Sequence, residues 1–221
     1  MHFRTTQVFV KTVPMAIANS ANQGVVALDV EGVLIPEIWI AVAERTGIET
    51  LRRTTREEPD YNKLMRGRLE ILDANGLTMS LVEDVISGLR TLPGAKEFLD
   101  SLRSRYQVIL LSDTFEQFAR PFMRQLGMPT ILCHRLIVEN DRIADFELRI
   151  DNQKQRAVEA IRSLNYKVVA AGDSYNDTTM LSAADAGFLF RAPDNVIREF
   201  PHFPAYTEYA DLESAIDRVL L

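Results

Sequence analysis

Apolar residues along this chain keep two rhythms. Short unbroken runs at 25–28, 108–111, 168–171 and 186–190 read as strands buried on both faces, the habit of a parallel sheet. Elsewhere apolar positions return every three or four residues, which predicts helices. Residues 37–47 present Ile38, Val42 and Ala43 on one face and stop at Gly47. Residues 60–75 do the same with Tyr61, Leu64, Met65, Leu69 and Leu72 before Gly76. A third helix starts near Ser80, which pairs with Glu83 as a capping box, and it buries Leu81, Val85, Ile86 and Leu89. No strand pattern interrupts residues 37–91, so this stretch reads as a helical insertion.

Further on, Pro93-Gly94 opens a helix carrying Phe98, Leu99 and Leu102. The strand at 108–111 ends at Ser112. The helix after it holds Phe115, Phe118 and Phe122, with Pro121 as a kink and Gly127 as its end. Residues 130–150 alternate in the manner of a hairpin that turns at Asn140-Asp141. Helices at 154–164, 177–184 and 210–220 complete the pattern. Such alternation predicts an α/β fold, a doubly wound and mostly parallel sheet whose ligand crevice lies beyond the carboxyl ends of the strands. The expected division is an α/β core at 25–36 and 92–221, a small helical domain at 37–91 and an N-terminal extension at 1–24, with Met15 as a natural start.

Composition narrows the function classes. With 31 acidic against 25 basic residues the net charge is −6, and no basic cluster offsets it, which argues against a nucleic-acid partner. A single cysteine, Cys133, allows no internal disulfide and fits a reducing, cytoplasmic setting. No apolar run approaches the ~20 residues of a membrane span.

The strand ends carry the chemistry. They supply Asp29 and Glu31, Ser112 and Thr114, then Asp173 and Asp177, and Lys154 joins them from a helix start. A phosphate dianion must be held by cations and hydrogen-bond donors, while a magnesium ion takes hard oxygen ligands that include one or two carboxylates. Asp29 and Asp173 suit the ion; Lys154 and the Ser112 hydroxyl suit the phosphoryl oxygens. Two apart on an extended chain, Asp29 and Glu31 lean to the same side, so one attacks while the other handles the proton. Gly32 lets the backbone turn tightly away. Each piece alone has a plainer reading as turn, cap or wetted surface, but four in order at strand ends and a helix start point to a site.

DVEGVLIPE, LLSDT, Lys154 and GDSYND resemble, in that order, the motifs of the haloacid dehalogenase superfamily, and the helical insertion falls where that superfamily carries its type-1 cap. Within it the chain is similar to the phosphoserine phosphatases. PEIWIA, AAGDSYNDTTML and PDNVIREFP resemble the bacterial subgroup that also transfers phosphate to homoserine. The resemblance implies an Mg²⁺-dependent enzyme working through an aspartyl phosphate, with phosphoserine as donor and water or homoserine as acceptor. It implies Asp29 as nucleophile and Glu31 as general acid/base. Asp29, the Glu31 carbonyl and Asp173 would hold the metal, with Asp177 in support. Ser112 and Lys154 would bind the phosphate, Glu37 the substrate amino group and Arg68 its carboxylate, with Thr114 also on the substrate and Asn176 beside it. Four positions depart from the usual pattern: Glu31 replaces an aspartate, Val33 a threonine or serine, and Asp113-Thr114 a pair of glycines, though the subgroup shares this look.

Two other readings stand beside this one. The same core would serve another phosphomonoester, such as a sugar phosphate. A signalling receiver also gathers acids, a hydroxyl and a lysine around a phosphorylated aspartate, but it lacks a helical insertion after its first strand. An amphipathic helix explains Arg68 without function. His134 reads as an ordinary strand residue, His2 and His202 share no metal-ligand spacing with it, and Phe200, Phe203, Tyr206 and Tyr209 read as packing. Trp39, beside Glu37, either lines the substrate entrance or packs within the insertion.

Overall fold

The computed structural model describes residues 23–55, 57–58 and 60–221, so the expected extension at 1–24, Met15 included, lies almost wholly outside the described residues. Strands β1 (Gly24–Leu28), β2 (Gln107–Phe115), β3 (Thr130–Glu139), β4 (Arg142–Glu147), β5 (Lys167–Gly172), β6 (Ala186–Phe190) and β7 (Ala205–Tyr206) form one sheet in the order β4-β3-β2-β1-β5-β6-β7. Neighbours run parallel except β3 and β4, the expected hairpin. Its turn places Asn140 and Asp141 at φ of 50° and 63°, the left-handed pair that a two-residue hairpin turn demands.

The helices are α1 (Ile38–Thr46), α2 (Tyr61–Ala74), α3 (Met79–Gly88), α4 (Ala95–Arg103), α5 (Glu116–Gln125), α6 (Gln153–Ser163), α7 (Thr178–Ala183), α8 (Asp194–Glu199) and α9 (Tyr209–Leu220). They cover both faces of the sheet. Because side chains alternate along a strand, Val26 and Leu28 join Leu110, Val169 and Ala171 under Phe98 and Leu102 of α4 and Ile216 of α9. Val25 and Ala27 point the other way, with Leu111, Val168 and Ala170, against Val158 of α6 and Met180 of α7. Burial on both sides keeps these strands apolar up to their carboxyl ends, and truncating a residue such as Leu28 to Ala costs about 2–5 kcal/mol.

Between β1 and β2 the described chain is helical, as its periodicity predicts. Gly47 ends α1 at φ 72°, donating its N–H to Ala43, and Asp60 caps α2 by accepting from the Lys63 N–H at 3.1 Å. The cap of α3 differs from expectation. Thr78, not Ser80, accepts the free N–H of Leu81 at 3.2 Å, while the Ser80 hydroxyl turns to Asp141 Oδ1 at 2.8 Å. The helix therefore starts at Met79 and buries Met79, Val82 and Ile86, leaving Leu81, Val85 and Leu89 half-buried. The contact with Asp141 ties the insertion to the β3–β4 turn, and an Asp73–Arg142 ion pair at 2.5 Å reinforces it.

Two further expectations are corrected. Strand β2 does not stop at Ser112 but continues to Phe115, through a register shift between Leu111 and Phe115, so Phe115 belongs to the strand and α5 begins after it. The pattern also missed α8 and the short edge strand β7.

Candidate active site

The carboxyl ends of β1, β2 and β5 meet where α6 begins, and the expected polar residues converge there. Asp29 follows β1 directly, its N–H bound to the Ala171 carbonyl of β5 at 2.9 Å. The next residues fold into a tight turn in which Gly32, at φ 76°, donates to the Ile35 carbonyl. A Cβ on Gly32 would lie 2.3 Å from Asp173 Oδ2, and a Cβ on Gly172 would lie 2.3 Å from the Asp177 carboxyl carbon. Both positions therefore require the absence of a side chain.

Lys154, at the start of α6, places its Nζ 2.8 Å from Asp29 Oδ1 and 2.8 Å from Asp177 Oδ1, with all three side chains buried. Asp177 is also held by the backbone N–H groups of Asp173 and Ser174, at 3.0 and 3.1 Å. Ligand atoms of Asp29, Asp173 and Asp177 lie within 4.8 Å of one another. Burial and the charge of Asp177 push the Asp29 carboxyl well above its ordinary range, against the pull of Lys154. The same two causes, joined by Glu37, push Asp173 up to about 7. Burial works against the Lys154 charge, yet Asp113, Asp177 and Asp29 together raise its pKa well above that of a free lysine. One ammonium among these carboxylates leaves an excess of negative charge, which a hard divalent cation with oxygen ligands would relieve. The donor set therefore fits Mg²⁺.

Glu31 lines the same cavity as Asp29, and its side chain is engaged at the start of α1. Its Oε2 accepts the Ile38 N–H at 3.0 Å and so caps α1, a task that the N-cap residue Glu37 leaves undone. Burial raises its pKa, opposed by the Ile38 N–H, the Thr114 hydroxyl and the charge of Arg68. That balance suits a proton shuttle. Ser112 and Thr114 are buried on β2, the Thr114 N–H 3.2 Å from the Ser112 hydroxyl, and Gln153 clasps the Ser112 carbonyl at 3.3 Å. Glu37 and Arg68 enter from the insertion side.

Arg68 is no surface residue. It is 7% exposed, stacks over Trp39 at 4.7 Å and donates to the Arg53 carbonyl at 2.7 Å. Its Nε finds no hydrogen-bond partner among the described residues. Trp39 lines the cavity and packs edge-on at 5.6 Å against Phe118 of α5, which lies outside the insertion.

Sequence reasoning passed over several members of the site. Tyr61, read as a core residue of α2, crosses to β2 and donates its hydroxyl to the Asp113 carbonyl at 2.5 Å. Ser174 and the pair Thr54-Thr55 also line the cavity. Asp113 draws in Asn176 at 2.7 Å, Lys154 at 3.3 Å and, from β3, the buried His134 at 3.6 Å. The signals for it were its place between Ser112 and Thr114 and its standing where the resembled family has glycine.

A model of the haloacid dehalogenase-like hydrolases matches residues 27–182, and the chain belongs to that family. Among its curated relatives, the phosphoserine phosphatase of Pseudomonas syringae pv. tomato is 60% identical over 190 residues, covering 86% of this chain and 80% of that protein. Phosphoserine phosphatase ThrH of Pseudomonas aeruginosa is 58% identical over 190 residues, covering 86% and 93%. A solved phospho-aspartyl intermediate analogue of phosphoserine phosphatase shares the fold, with a TM-score of 0.74 at 21% identity over 90% of this chain and 99% of that one.

Proposed function

We propose that this chain is an Mg²⁺-dependent phosphoserine phosphatase that passes the phosphoryl group through Asp29 and delivers it to water or to homoserine. The observation that carries the reading is Asp29 at the end of β1, paired to Lys154 at 2.8 Å inside the cluster it forms with Asp173 and Asp177. Identity of 58% and 60% to the two Pseudomonas phosphoserine phosphatases supports the substrate. Asp29 attacks phosphorus while Glu31 gives a proton to the departing serine alkoxide; Glu31 then takes a proton from the second nucleophile as that group attacks the aspartyl phosphate. Ser112, Thr114 and Lys154 bind the phosphoryl oxygens, and Asn176 stands beside them. A bound Mg²⁺, held by Asp29, Asp173 and the Glu31 carbonyl with Asp177 in support, would neutralise charge on those oxygens.

Residues 37–91 act as the cap over this site. Glu37 meets the substrate ammonium and Arg68 its carboxylate, which the unpartnered Nε and the buried guanidinium support. The buried, unpaired Cys133 supports a cytoplasmic setting. Phosphate release from phosphoserine with Mg²⁺, with and without homoserine, tests the proposal. Phosphohomoserine should accumulate at the expense of free phosphate; no release from phosphoserine would refute the reading.

A further inference from the structure

Asp113 stands between two expected substrate-binding residues, Ser112 and Thr114, and its carboxylate collects donors from three separate elements. Asn176 Nδ2, in the single 3-10 turn that follows β5, donates at 2.7 Å. Lys154 Nζ lies 3.3 Å from the same oxygen, and His134 Nε2 lies 3.6 Å from the other. The imidazole is aimed from behind: the Arg149 N–H donates to its Nδ1 at 3.4 Å, which puts the ring proton on Nε2, facing Asp113. Burial alone would raise the Asp113 pKa, but Lys154, His134 and Asn176 outweigh it and hold the group well below the usual carboxylate range.

A regular strand would send Ser112 and Thr114 to one side and Asp113 to the other. Here all three line one cavity, because β2 shifts register between Leu111 and Phe115. That irregularity brings Asp113 round to Lys154. The ammonium has three donors and faces Asp29, Asp177 and Asp113. A phosphoryl group on Asp29 would take over the donor now given to that carboxylate, leaving the other two to Asp177 and Asp113. Asn176 is pinned at both ends, with its Oδ1 accepting from the Ser174 hydroxyl at 2.5 Å.

We propose that Asp113 is a positioning residue for phosphoryl transfer, fixing the Lys154 ammonium and the Asn176 amide relative to Asp29 and held in turn by His134. The inference rests on Asp29 being the nucleophile. Asp113→Asn keeps the shape and removes the charge. Assayed with saturating Mg²⁺ on both phosphoserine and p-nitrophenyl phosphate, it should lower kcat by about 10–100-fold, the scale of a displaced catalytic group. KM should move less than about threefold, and both substrates should suffer alike, since Asp113 acts on the phosphoryl end they share. In a Lys154→Ala background the same change should add little. His134→Phe should lower kcat on both substrates by a smaller factor, with His134→Gln restoring part of it; should Asp113→Asn fail to fold, this pair decides. Undiminished kcat in Asp113→Asn or His134→Phe, a loss confined to phosphoserine, or full additivity with Lys154→Ala would overturn the inference alone. No turnover of either substrate by the unsubstituted enzyme would overturn the Asp29 reading and this inference with it.

Discussion

Lys154 Nζ lies 2.8 Å from Asp29 Oδ1, and their side chains are only 4% and 6% exposed. The pair spans 125 positions of sequence and joins the end of the central strand to the start of α6. It sets a buried ammonium against the carboxylate proposed as the nucleophile, so the proposed phosphate ligand and nucleophile are in direct contact.

Asp29→Asn should leave the fold intact, because an amide oxygen still accepts from Lys154 and one negative charge leaves a crowded cluster. Turnover should fall at least about 10³-fold, as losing a covalent nucleophile does. Circular dichroism with steady-state phosphate release checks both halves, and near-normal turnover would remove Asp29 from the mechanism.

Lys154→Met removes the ammonium and leaves Asp29 and Asp177 buried together. Breaking a buried pair in this way costs about 3–5 kcal/mol. Urea unfolding in EDTA should show that loss, and Mg²⁺ should recover part of it by supplying another positive charge. An unchanged midpoint in EDTA would mean that the ion pair contributes nothing net to stability.

Mg²⁺ itself should stabilise the native protein. At 100 times its dissociation constant a ligand that binds only the folded state adds about 2.7 kcal/mol. Tm should therefore climb with Mg²⁺ and fall back with EDTA, and Asp173→Asn should flatten the response. Equal titration curves for the two proteins would show that Asp173 is not a ligand.

Arg68→Ala should raise KM for phosphoserine at least tenfold more than for p-nitrophenyl phosphate, which has no carboxylate to bind. Some stability goes too, since the guanidinium packs on Trp39 at 4.7 Å. Equal changes in KM for the two substrates would reduce Arg68 to a packing role.

The sequence exposes those parts of the site that follow local rules. Asp29, Ser112 and Asp173 are visible because each follows a run that is apolar for being covered on both faces, and Gly47 because a helix stop needs a left-handed residue. Asp113 is invisible as a hub, since its partners Lys154 and Asn176 lie far along the chain and a polar tripeptide reads as the end of a strand, not its continuation. Ser80 misleads for a similar reason: its spacing to Glu83 satisfies a local capping rule, but Asp141, 61 positions away, claims the hydroxyl. Helix α8, at six residues, and strand β7, at two, are each too short to set up a period.

Gly32 and Gly172 are each pressed by an acidic side chain. The Asp173 and Asp177 carboxylates occupy the volumes that side chains would fill there, so each acid packs directly against bare main chain. The fold itself thus sets these carboxylates in place, and a cation that met them would supply charge rather than order.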